Sequence, residues 1–220
     1  MTEQIHSADL PVELPIFPLT GVLLLPHAQL PLNIFEPRYL AMTEDALAKG
    51  RYIGMIQPQE AAEENNQENP GVYKTGCAGR IISFSESGGG RFLITLLGVC
   101  RFQITEELGL VKGYRRVRAN YESFIGDLKA NDENLPGRDE RLKTVQSYLA
   151  LKNINADWSS IENAPDEPLV NSLAMMCPFA PSEKQALLEC SGLQERSTLL
   201  MSLMNMAVHD KYEGPATQTH

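Results

Sequence analysis

The sequence predicts an α+β fold: an amino-terminal β pseudo-barrel with one inserted helix, followed by a carboxy-terminal helical bundle. Three observations carry this. Up to Tyr121 the apolar residues come in short runs broken by proline and glycine, which is how strands and turns punctuate a β-rich domain. From Ile125 to Asp139 (IGDLKANDENLPGRD) the chain turns polar and carries a Pro-Gly pair, marking a boundary. Beyond it no strand pattern recurs, and apolar residues follow helical spacing. The expected organisation is a barrel over residues 12–124, a bundle over 125–212, and tails at 1–11 and 213–220.

The elements can be justified in order. Leu14 to Leu19 is apolar but holds Pro15 and Pro18, so it reads as an edge strand or one entering a barrel, because proline gives a ladder no N–H. Val22 to Leu25 is a second apolar run, ended by Pro26 and expected in the core; Leu30 to Phe35 is a third extended piece. Pro37 suits a first helical position, and Gly50 after Lys49 stops that helix. Tyr52 to Gln57 returns as a strand. Pro58 to Gly71, rich in Glu, Asn and Gln, reads as an exposed acidic loop with no fixed metal geometry.

Gly76 to Glu86 and Arg91 to Ile104 form a hairpin around Ser85-Glu-Ser-Gly-Gly-Gly90, with a bend or bulge near Gly79 and another bend at Gly98. The triple glycine lacks a following Lys-Ser/Thr and opens onto a strand, so it is a turn and not a phosphate cradle. Phe92, Ile94 and Leu96 face one way and Leu93, Thr95 and Leu97 the other, which predicts a strand covered on both faces. Beyond Gly98, Arg101, Gln103 and Thr105 alternate with apolar residues as a half-exposed continuation, and Tyr114 to Tyr121 is the last strand. In the second half, helices are expected over Asp139 to Lys152, from Pro168 through Met176, from the capping-box pattern Ser182-x-x-Gln185 through Cys190, and from Ser191-x-x-Gln194 to about Val208. Five of the eight methionines fall between Met175 and Met206, among leucines at helical spacing, and are expected to line the helical core.

The run PIFPL, then LPLNIFEPRY, a helix and YIGMIQ resembles the amino-terminal substrate-recognition domain of Lon proteases, specifically its small free-standing bacterial relatives. The resemblance continues through GCAGRIISFSESGGGRFLITLLGVCRFQI and LVNSLAMMCPFAPSEKQALL, covering roughly Leu14 to Ala207. It implies a PUA-like barrel whose work is to bind unfolded polypeptide or to engage a protease or chaperone, in protein quality control or regulated proteolysis. The barrel type also leaves a second reading open, a PUA-like RNA-binding protein.

Composition narrows the chemistry. The 220 residues carry a formal net charge of −9, with −3 in residues 1–125 and −6 in 126–220, so neither half is the basic domain that phosphate backbones require. No apolar stretch approaches a membrane span, and the amino-terminal MTEQIHSADL has neither the positive charge nor the apolar core of a secretory signal, so a cytoplasmic location is expected. Cys77, Cys100, Cys177 and Cys190 show no C-x-x-C spacing and read as small buried hydrophobes. Four scattered histidines lack ligand spacing. There is no G-x-S-x-G elbow and no G-x-x-x-x-G-K-[ST], and the ATPase and serine-lysine peptidase motifs of full-length Lon proteases are missing. The expectation is a non-catalytic protein with no cofactor and no metal.

Binding candidates are therefore surface groups. Glu36, Arg38 and Tyr39 either belong to a recognition surface or tie the strand-to-helix turn together while Tyr39 buries its ring. Lys112, Tyr114, Arg116 and Arg118 would share one side of a strand, where they could contact RNA or an acidic peptide, or form a solvated face that discourages edge pairing. Of these, Glu36, Arg38, Tyr39, Arg116 and Arg118 are the candidate binding residues.

Overall fold

The computed structural model describes residues 6–59, 71–129 and 134–212, with side chains through His209; the expectations for the acidic loop at 60–70 and for the last eight residues lie outside them. The chain divides into two compact units. One comprises residues 1–130 and 175–189, the other residues 131–174 and 190–220.

Among the described residues the first unit is built on six strands, β1 Glu13–Pro18, β2 Gln29–Ile34, β3 Tyr52–Ile56, β4 Thr75–Ser87, β5 Arg91–Val111 and β6 Tyr114–Asn120, with helix α1 Pro37–Ala48 between β2 and β3. The strand order is β2-β5-β4-β3-β1-β6, and an additional β5–β6 pairing closes the sheet on itself. Closure is possible because β5 is 21 residues long. Its amino-terminal half pairs with β2, Gln29 opposite Leu97 through Ile34 opposite Phe92, and its carboxy-terminal half pairs with β6, Gln103 opposite Asn120 through Val111 opposite Tyr114. Five strands thus form a barrel, which leaves them no free edges, and β2 hangs on the outside of β5. Among the described strands only the β1–β3 pairing is parallel.

The barrel interior is apolar. Leu14, Ile16, Ile56, Ala78, Cys100, Phe102 and Val117 are buried in one cluster. Register shifts in the β4–β5 pairing fall between Ala78 and Gly79, opposite Gly98 to Cys100, and between Ile81 and Ser83. Gly98 is required there, since a Cβ would overlap the Leu25 carbonyl oxygen. Its N–H donates to the Ala28 carbonyl and its own carbonyl accepts from His27 N–H. The β5–β6 turn is the two-residue pair Lys112-Gly113, both at positive φ, as a tight hairpin demands.

Val22 to Leu25 supplies core as expected, Leu23, Leu24 and Leu25 being buried, and does so as a loop held by side chains. The Gln57 amide clasps it, accepting from Gly21 N–H at 2.9 Å and donating to the Val22 carbonyl at 2.7 Å. Several expectations are corrected. The segment before β1 is not a loose tail where it is described: Leu10 joins the core, and Tyr121 Oη donates to the Pro11 carbonyl. Leu93 is 46% exposed, so the second face of β5 is only partly covered. Arg101 is buried, not half-exposed: its guanidinium forms a two-armed pair with Asp127 (2.8 and 2.7 Å) and donates to the Leu188 carbonyl at 3.1 Å.

The helices are α2 Arg138–Lys152, α3 Trp158–Asn163, α4 Asp166–Met176, α5 Pro181–Glu189 and α6 Leu193–Tyr212. Helix α3 falls between the two helices expected from sequence; Asp157 caps it, accepting from Ser159 N–H. Helix α5, which a boundary at 124 would place with the bundle, groups with the strands. Its Gln185 does not serve as a cap: it donates to the Thr75 carbonyl at 3.1 Å, while Glu183 accepts from Ala180 N–H. At α6, Glu195 rather than Gln194 accepts from Ser191 N–H. In the second unit α2 packs on α6, and Val145, Tyr148, Leu149, Val170, Leu200 and Met204 are buried. Of the five carboxy-terminal methionines only Met204 is fully buried; Met176 and Met206 are exposed.

Candidate functional site

Glu36 is the N-cap residue of α1, with Pro37 in its first turn. Arg38 Nε donates to Glu36 Oε2 at 3.0 Å, both side chains remaining partly exposed, and the guanidinium stands over the Tyr39 ring. Tyr39 is buried against Phe17, ring centroids 4.1 Å apart. Burial raises its hydroxyl pKa, Arg38 opposing. These contacts anchor the strand-to-helix turn.

The basic run lies on the neighbouring elements, since α1 packs against β1 and β6. Every cation in it meets a carboxylate. Lys112 Nζ lies 2.7 Å from Asp45, Arg115 holds both Glu107 oxygens at 2.8 and 2.7 Å, Arg116 reaches Glu13 at 3.3 Å, and Arg118 reaches Glu106 at 3.1 Å. Tyr114 Oη also donates to Asp45, whose carboxyl is held low by its Lys112 and Tyr114 hydrogen bonds. The Tyr114 hydroxyl is pushed up to about 12, first by burial and then by Asp45. A cleft of about 180 Å³ between α1, β1 and β6 is lined by Glu13, Pro15, Asp45, Lys49, Tyr114 and Arg116. The structure thus brings Arg116 near the α1 helix, while Lys112 sits in the turn and not on the strand face. Ion pairing within the run leaves few charges to offer a phosphate backbone.

A set of exposed apolar side chains was hidden in the apolar patterning. Phe35 is 62% exposed, and Ile82, Phe84 and Leu93 are exposed on the distal β4–β5 hairpin beside β2. The alternation in Phe92 to Leu97 was the available signal, but it reads equally as a strand covered on both sides. On the outer edge of β2 no strand pairs among the described residues.

Among the described residues no group of three or more His, Cys, Asp or Glu could hold a metal ion. All four cysteines are free and buried, and burial pushes the Cys100 thiol up to about 12 and Cys177 up to about 11, so neither is a nucleophile near neutral pH. No helix among the described residues is long and apolar enough to cross a membrane.

The model of the ATP-dependent protease La (LON) substrate-binding domain matches residues 13–206. The chain belongs to the Lon substrate-binding domain family. Among its curated relatives, the Lon protease of Flavobacterium johnsoniae is 25% identical over 216 residues, covering 93% of this chain and 25% of that protein. The Lon protease of Escherichia coli K12 is 26% identical over 212 residues, covering 90% and 25%. The chain therefore spans about a quarter of the length of these relatives. Among solved structures, a Lon N-terminal domain protein from Xanthomonas campestris superposes with a TM-score of 0.59 at 20% identity, covering 86% of this chain and 97% of that one. The N-terminal domain of a Mycobacterium avium complex Lon protease also gives 0.59, at 17% identity, covering 88% and 98%. Both share the α+β fold with carboxy-terminal helices.

Proposed function

We propose that this chain is a non-catalytic polypeptide-binding module serving protein quality control or regulated proteolysis. The family match over residues 13–206 supports substrate binding in general. The observation that carries the finer reading is the exposed apolar side chains of the sheet extension, Phe35 and Leu93 on one face and Phe84 on the other, on a chain that carries no nucleotide cradle and no serine elbow. Apolar side chains held out on a rigid sheet gain by covering themselves with the apolar residues that a folded protein hides and an unfolded one displays. The occupant would be unfolded polypeptide, delivered to or shared with a protease or chaperone.

RNA binding has no observation in its favour, because the basic run is spent on Asp45, Glu107, Glu13 and Glu106. The reading is tested by titrating a fluorescently labelled, permanently unfolded protein, such as reduced and carboxymethylated lactalbumin, into the purified chain. Saturable binding, weakened in the double variant Phe35→Ser with Leu93→Ser, is expected. Equal binding by the double variant would move the site elsewhere.

A further inference from the structure

The barrel strands have both edges paired, whereas β2 bonds only to β5 among the described residues. The direction of its backbone groups follows from one bond. Gly98 N–H donates to the Ala28 carbonyl, and antiparallel pairing alternates every second residue, so Leu30, Leu32 and Ile34 are bonded to β5. Gln29, Pro31 and Asn33 then turn their backbone groups outward, and all three are exposed. Pro31 fits this register, because its missing N–H falls on the open side and breaks no ladder bond.

What such an edge recognises is dictated by its chemistry. Backbone acceptors at Gln29, Pro31 and Asn33, with donors at Gln29 and Asn33, match only another extended main chain. On one face of β2, Leu30 and Leu32 are half-buried beside buried Leu96 and Ile94; on the other, Pro31 and Asn33 lie beside Thr95 and Leu93, and Phe35 continues that row. Neither β2 nor Phe92 to Leu97 holds an ionisable side chain, in a chain of net charge −9. Charge matching therefore selects an uncharged segment: a Lys, Arg, Asp or Glu placed against this strip would lose water and find no counter-ion.

We propose that the open edge of β2 takes an uncharged, extended polypeptide segment as an added strand, with apolar side chains at alternate positions covering Leu30 and Leu32. The inference rests on the polypeptide-binding reading and names how that binding is made. Pro31 has a second consequence. It withholds one donor, which keeps the edge from pairing indiscriminately while leaving Gln29 and Asn33 to set the register.

The probe is a fluorescein-labelled, acetylated hexapeptide of alternating valine and threonine, measured by anisotropy beside two copies that are N-methylated at alternate residues, one set on each edge of the peptide. The parent peptide should bind, one methylated copy should bind about tenfold or more weakly through loss of its edge bonds, and the other should match the parent. Asn33→Pro, checked for an unchanged melting curve, should weaken the parent to the same degree. If the unfolded protein binds but the hexapeptide does not, or both methylated copies bind like the parent, the edge is not used and only the broader reading survives. If neither the hexapeptide nor the unfolded protein binds, both fail. A dimer in sedimentation that Asn33→Pro dissolves would give the edge to a second copy of the chain and overturn the inference.

Discussion

Lys184 Nζ lies 2.8 Å from the carbonyl oxygen of Gly21, 163 positions away in sequence, and 2.9 Å from that of Met175. A buried ammonium on α5 thus fastens the loop that carries Leu23, Leu24 and Leu25 into the core, beside the Gln57 clasp on Gly21 and Val22. Burial lowers the Lys184 pKa.

Lys184→Met should destabilise the first unit by about 1–3 kcal/mol, the cost of orphaning buried carbonyls less the relief of burying a charge. The pH dependence has a definite sign. Because the folded pKa is lowered, the unfolded chain holds the proton more tightly, and stability rises with pH between the lowered pKa and the ordinary lysine range. Urea denaturation at pH 8 and pH 10 should find the gap between wild type and variant widening at the higher pH; a narrowing gap would contradict the assignment.

Asp127→Ala should cost more. It would strip the buried Arg101 guanidinium of the carboxylate that pairs with it, a loss of about 3–5 kcal/mol. Replacing both groups, Arg101→Met with Asp127→Leu, should recover much of it, as a double-mutant cycle followed by thermal melting would show.

In the second unit Asp166 accepts from Leu135 N–H at 2.7 Å, Arg138 at 2.6 Å and Arg141 at 2.7 Å. Burial alone would raise its carboxyl, yet these donors outweigh it and the pKa is lowered. The stability it contributes is present above the ordinary aspartate range and is lost as pH falls through the lowered value. Asp166→Asn should therefore be less stable at pH 7 and show a shallower loss on acidification, measured by tryptophan fluorescence of Trp158.

Gly98→Ala should destabilise by about 2 kcal/mol or more, because the methyl group meets the Leu25 backbone and not a side chain that can swing away. Guanidinium unfolding reads this directly. An alanine there that left stability unchanged would show that the Leu25–Ala28 turn does not press on β5 as described.

Where a residue's own chemistry fixes local geometry, the fold was legible. Pro37 and Gly50 bracket α1, the Gly88–Gly90 turn joins β4 to β5, and the leucines at 23–25 are core. What escaped reading depends on partners distant in sequence. Arg101 looks like a surface alternation until Asp127 and the α5 carbonyl surround it. Gln185 has the spacing of a cap but finds Thr75. β5 runs on past Ile104 because β6 pairs with its polar end, and Glu106 and Glu107 gave no apolar rhythm to follow. Among the site candidates, Glu36, Arg38 and Tyr39 sit at the start of α1, while the acids that engage the basic run come from β1, α1 and β5 and could not be matched to it in advance.

Binding of unfolded chains without turnover is the centre of this account, and one titration addresses it. Carboxymethylated lactalbumin, labelled and mixed with the purified protein in the presence of ATP and magnesium, should bind saturably and remain intact, with no phosphate released. Failure of the folded protein to bind it, or cleavage of the substrate by the chain alone, would contradict the account.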